Sequence, residues 1–193
     1  MQINISEYEM KLVTDTQVLL TKNRIIQKVM GFFGTLSTDY KAIITDKQLA
    51  PADSVNAKVS RGENYKGLPY VMLDYPRLFE RSNTFAIRTL FWWGNFFSIT
   101  LQLSGEYQQK FSPIIQKAIC EKQLKDWYIA TSENAWEHHF DDDNYQLINY
   151  EREYFLTNLP FIKISKKIPL EQWDKTEVLL KENFKTLIEM ISG

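Results

Sequence analysis

The chain has 193 residues, 44% of them hydrophobic and 14% aromatic, which suits the core of one domain and is short for two. Its 23 Lys and Arg against 24 Asp and Glu leave no basic field to draw it to nucleic acid or an acidic membrane. The single cysteine, Cys120, excludes an internal disulfide and a multi-cysteine metal centre. With no signal-like run in Met1 to Leu12 and nothing near the roughly 18 apolar residues of a membrane helix, a cytoplasmic protein is expected.

Two capping-box patterns come first, Ser6-x-x-Glu9 and Thr14-x-x-Gln17. Val18, Leu19, Ile25, Ile26, Val29, Phe32, Phe33, Leu36, Tyr40, Ile43 and Ile44 then recur at three-and-four spacing, the stripe of a long helix that covers a sheet. Gly31 and Gly34 inside it predict a break or a close packing contact. Asp46 to Asn56 reads as a loop, and Ser60 to Gly67 as a polar loop running into a strand over Leu68 to Leu73. Pro69 belongs at the start of that strand or on an edge, and Asp74-Tyr75-Pro76-Arg77 stops it.

Thr84 to Leu103 is the centre of the predicted sheet. Two β-branched and aromatic runs flank Gly94-Asn95, a pair suited to a two-residue hairpin turn. Counting outward from that turn sets Trp93 opposite Phe96, Trp92 opposite Phe97, Leu90 opposite Ile99 and Arg88 opposite Leu101. One face then carries Ala86, Arg88, Leu90, Trp92, Phe97, Ile99, Leu101 and Leu103. The other mixes Phe85, Ile87, Thr89, Phe91 and Trp93 with Phe96, Ser98, Thr100 and Gln102.

Glu106 to Leu124 has helical spacing, with Pro113 predicting either a bend or a helix that starts there. Cys120 is expected as a packed thiol within it. Strand-like stretches follow at Trp127 to Thr131, Tyr145 to Ile148 and Phe161 to Ile168. After Pro169 a last helix repeats Trp173, Leu180, Phe184, Leu187, Ile188 and Ile191 on one face. No linker or repeat divides residues 1–193, so one domain is expected. The fold class is α+β: a mainly antiparallel sheet centred on the hairpin 84–103, covered by a long N-terminal, a middle and a C-terminal helix.

The Gly/Lys/Tyr loop from Lys58, the strand start Leu68-Pro69-Tyr70, the aromatic strand pair and the helix after it resemble the YktB-type family of uncharacterised bacterial domains, over Lys58 to Cys120. The resemblance implies an α+β fold, no established activity and no catalytic residues to carry over.

Arg61, Asn64, Tyr65 and Lys66 in the loop, Asp74 and Arg77 after the next strand, and Arg88 and Trp93 on the hairpin form the candidate ligand-binding set. Arginine forks and an indole face suit a small polar or anionic ligand in a pocket between the 61–66 loop and the hairpin. Arg88, on an apolar face, needs a partner, and Asp74 is the carboxylate nearest by type. His138-His139-Phe140-Asp141-Asp142-Asp143 lacks both the calcium-loop spacing, which fails at Tyr145, and a His-Glu-x-x-His pattern. No metal and no cofactor are expected. A small molecule is the expected partner, with nucleic acid and membrane excluded. The alternatives are an enzyme using the same pocket, and an assembly protein that forms a homodimer through its aromatic sheet face.

Overall fold

A computed structural model describes residues 3–47, 56–152 and 154–192. Most of the loop expected at Asp46 to Asn56 lies outside the described residues. Helix α1, Glu7–Thr14, opens with the expected Ser6/Glu9 capping box. The second box does not form: Asp15 caps α2 by accepting from the Gln17 amide at 2.9 Å, while the Thr14 hydroxyl donates back to the Met10 carbonyl at 2.7 Å. Two polar residues competed for one cap, and the carboxylate next to the first turn took it.

Helix α2, Thr16–Asp46, buries Ile26, Val29, Phe33, Leu36, Tyr40 and Ile44. Val18 and Leu19, placed on its stripe by spacing, are exposed, and the buried residues of the helix begin at Ile26. Gly31 and Gly34 neither break it nor admit a neighbour, since a Cβ at either would meet nothing within 4 Å.

Among the described residues, seven strands form one antiparallel sheet in the order β1-β2-β3-β4-β7-β5-β6: Lys58–Tyr65, Leu68–Phe79, Thr84–Trp92, Phe96–Ser104, Tyr128–Ala130, Tyr145–Leu147 and Ile162–Pro169 for β1 to β7. The 60–67 segment expected as a loop is mostly strand. Its turn is only Lys66-Gly67, both at positive φ, the geometry of a two-residue hairpin. Pro76 does not end β2: the register shifts across Tyr75-Pro76 as a bulge and pairing resumes at Arg77.

The central hairpin is paired one residue away from expectation. Its loop is Trp93-Gly94-Asn95, closed by the Asn95 amide donating to the Trp92 carbonyl at 3.1 Å with Gly94 at φ +72°. Trp92 therefore pairs with Phe96, Phe91 with Phe97, and Arg88 with Thr100. Each strand keeps its alternation, but the two strands exchange faces relative to one another. Trp92 and Phe97 point to opposite sides.

Phe85, Ile87, Thr89, Phe91, Phe97, Ile99, Leu101 and Leu103 thus form one face and lie under the helices. Phe33 of α2 meets Phe97 edge-on at 6.3 Å. Tyr40 stacks on Phe184 at 3.7 Å and its hydroxyl lies 3.2 Å from that of Thr89. Each such ring contributes about 2 kcal/mol of transfer free energy. Helix α3, Gly105–Cys120, runs through Pro113 and does not begin there, and Cys120 at its end is exposed. After a 3-10 stretch, Leu170–Lys175, helix α4, Thr176–Ser192, completes the cover. No helix is long and apolar enough to cross a membrane among the described residues.

Candidate functional site

The face turned away from the helices carries Ala86, Arg88, Leu90, Trp92, Phe96, Ser98, Thr100 and Gln102. Across it the pairing aligns Asp74, Arg88, Thr100, Ser165 and Tyr128 as successive cross-strand partners. This polar row crosses the middle of the sheet, and the connection from β5 to β6, residues 131–144, folds over it. Buried polar groups must then find one another. Arg88 binds Asp74 through both forks, Nε to Oδ1 at 2.7 Å and Nη2 to Oδ2 at 3.0 Å, and the Thr100 and Ser165 hydroxyls stand 2.7 Å apart.

Tyr65, at the end of β1, pins the covering segment. Its hydroxyl donates to Glu137 Oε2 at 2.9 Å and accepts from the His138 and His139 amides at 2.7 and 3.1 Å, which uses its one proton and both lone pairs. Burial, reinforced by Glu137, pushes its pKa up to about 12, against the opposing pull of the two amides. The Glu137 carbonyl accepts from the Lys163 ammonium. Lys163 is almost fully buried, and burial with the neighbouring Arg88 charge brings its pKa down to about 7.

His138 lies 3.2 Å from Arg88 Nη1 through Nε2. A guanidinium only donates, so Nε2 is the acceptor and the ring proton sits on Nδ1. Burial, with Arg88 and Lys163 nearby, holds the imidazole well below its usual range and therefore neutral. Trp136 caps the arrangement, its ring 5.7 Å from the Arg88 guanidinium carbon.

Between this segment and the sheet lies a cleft of about 160 Å³, lined by Tyr65, Tyr70, Met72, Leu90, Trp136 and His138. That is room for roughly five waters, far less than a nucleotide needs. A wider cleft of about 550 Å³ between α3 and α4 is walled by Lys117, Glu121, Gln123, Thr186 and Glu189. Its Lys117, Glu121, Gln123 and Glu189 are all exposed, whereas the small cleft is walled by His138, which meets Arg88, so the small cleft is the better candidate.

Of the eight candidate residues, Tyr65, Asp74 and Arg88 meet in this cluster. Arg77 follows one step along the same face, opposite Ala86. Asn64 and Lys66 build the β1–β2 turn, where Asn64 Oδ1 accepts from the Gly67 amide at 3.1 Å. Arg61, opposite Val71, and Trp93, 6.2 Å from Phe91, belong to the helix side, because strand alternation sets them on the face opposite Tyr70 and Arg88. The missed residues are Trp136, Glu137, His138 and Lys163. Lys163 had a signal: it alternates with Ile162 and Ile164 in a strand with neighbours on both sides. The other three lie in a stretch without periodicity, positioned by bonds to Tyr65 and Arg88.

Compared with protein-family models, curated proteins and solved structures, the chain matches none.

Proposed function

We propose that this chain is a binding domain for a small polar molecule bearing a carboxylate, held in the cleft between β2–β3 and residues 131–144. The observation that carries this is Arg88 fixed by Asp74, touching neutral His138 and capped by Trp136, beside a cleft that His138 and Trp136 themselves line. His138, held by Arg88 in the tautomer with Nδ1–H, lines the cleft, and a carboxylate offers that donor an acceptor. The volume limits the ligand to a few non-hydrogen atoms beyond that group.

A thermal-shift panel of short carboxylic acids, followed by titration of Trp136 fluorescence, tests it. A member that raises the melting temperature in the native chain and loses affinity in Trp136→Ala supports the assignment. Trp136 is exposed, so its removal spares the core. A panel without effect on the native chain, or a ligand indifferent to Trp136→Ala, removes it.

An enzyme using the same cleft is the second reading, favoured by one group. An amine with a pKa near 7, as at Lys163, suits proton transfer at neutral pH. Lys163 does not line the cleft, so catalysis would require residues 131–144 to lift.

A further inference from the structure

The two adjacent histidines diverge, and the second leads to a site separate from the cleft. His139 is 3% exposed. Its Nε2 lies 3.4 Å from Glu137 Oε2, while its Nδ1 looks out at Asp141 Oδ2, 3.0 Å away, and Asp143 Oδ1, 3.7 Å away. Nδ1 is itself buried, yet no atom meets it in hydrogen-bond geometry, Asp141 included. A buried imidazole nitrogen without a hydrogen bond thus faces two carboxylate oxygens, and the three atoms lie within 4.8 Å of one another.

We infer that His139, Asp141 and Asp143 form a binding site for a divalent transition-metal ion of the zinc or manganese class. With the ring proton on Nε2 toward Glu137, Nδ1 presents a lone pair to the two carboxylates, and a cation at their centre turns each repulsion into attraction. Ligands about 2.0–2.2 Å from an ion at tetrahedral or octahedral angles stand roughly 3.0–3.5 Å apart; the nitrogen–oxygen separations are 3.0 and 3.7 Å, all three atoms lie within 4.8 Å, and both aspartates are exposed and free to close in. One nitrogen and two oxygens favour a borderline ion over magnesium or calcium, which prefer an all-oxygen shell.

The outer shell agrees with this assignment. A metal-bound histidine usually gives its other N–H to a carboxylate, and Glu137 stands at Nε2. Glu137 also accepts from Tyr65, so an ion would brace the segment that covers the cleft. The backbone is built for the turn: the Asn144 and Tyr145 amides both donate to the Asp141 carbonyl, at 2.9 and 3.0 Å. Spacing alone did not reveal the site, because the familiar calcium and zinc patterns are absent from the sequence. It arises from the burial of His139 against a turn that returns two carboxylates to it.

The inference does not depend on the cleft binding a carboxylate. Tag-free protein stripped with a chelator and titrated with zinc chloride at neutral pH, by calorimetry, should bind one ion per chain. Asp141→Asn/Asp143→Asn, two exposed positions whose change spares the core, should weaken binding at least about a hundredfold. Glu137→Gln should weaken it about tenfold as a positioning residue. Nitrogen NMR of His139 should show Nδ1 shifting on zinc addition. An absence of stoichiometric binding, binding unchanged in the double variant, or a His139 ring protonated on both nitrogens and indifferent to zinc would each overturn the site.

Discussion

Arg88 and Asp74 stand opposite one another in the β2–β3 ladder and join through two parallel hydrogen bonds, with both side chains 9% exposed. Removing one partner leaves the other charge buried and uncompensated. Asp74→Ala should therefore cost about 3–5 kcal/mol in urea unfolding, and Arg88→Leu a similar amount, whereas Asp74→Leu/Arg88→Met should recover most of the loss. Single-variant losses that simply add would mean the pair is not coupled.

Lys163 makes stability depend on pH in an unusual direction. Its folded pKa of about 7 lies below the ordinary 10.5, so between those values the unfolded chain carries more protons. Stability should then rise with pH from about 7 toward 10, with a slope of at most about 1.4 kcal/mol per unit. His138, held well below 6.5, acts with the same sign on the acid side. The tyrosines with raised pKa, Tyr40, Tyr65, Tyr107, Tyr145 and Tyr150, lower stability only above about pH 10, outside that window. Denaturant melts across the window should show the rise, and Lys163→Met should remove most of it, leaving the smaller part from Lys166, whose pKa burial also lowers. A native profile that is flat or falling, or a slope undiminished in the variant, contradicts the assignment.

The Tyr65 hydroxyl holds two backbone amides of the covering segment. Tyr65→Phe leaves the His138 and His139 N–H groups without their acceptor, at about 1–3 kcal/mol each where they stay buried. Hydrogen exchange at those two amides should speed up far more than exchange in the sheet. Equal acceleration everywhere would indicate global loosening and no special role for the phenol.

Gly62 makes room for a wall of the cleft. A Cβ there would lie 2.4 Å from the Tyr70 ring, whose far end swings more cheaply than backbone moves. Gly62→Ala should cost only about 1 kcal/mol in stability while it displaces Tyr70 and lowers affinity for any acid that binds the cleft several-fold. Titration of the variant checks this, and an unaltered affinity would show that Tyr70 does not shape the bound ligand's space.

Much of the architecture follows from local pattern. The three-and-four spacing of Ile26, Val29, Phe33, Leu36, Tyr40 and Ile44 marks a helix that covers the sheet, and the alternation within Thr84–Trp92 and Phe96–Ser104 marks strands. The need of a buried Arg88 for a carboxylate points to Asp74 from residue type alone. These features depend on neighbours within one turn or one ladder, or on the cost of an unpaired charge, and each can be read from residue type and spacing.

What the tertiary structure alone decided is which faces meet and what covers them. A turn of three residues where two were expected shifts the hairpin by one, and a side-chain period of two converts that single step into a complete exchange of partners. Arg61 and Trp93 left the candidate site because the helices cover the face they share with Val71 and Phe91. Trp136, Glu137, His138 and Lys163 entered it because an aperiodic segment folds back onto a polar row made by strands distant in sequence. Such contacts have no local signature: their energy exists only once burial has removed the water that would otherwise satisfy each group.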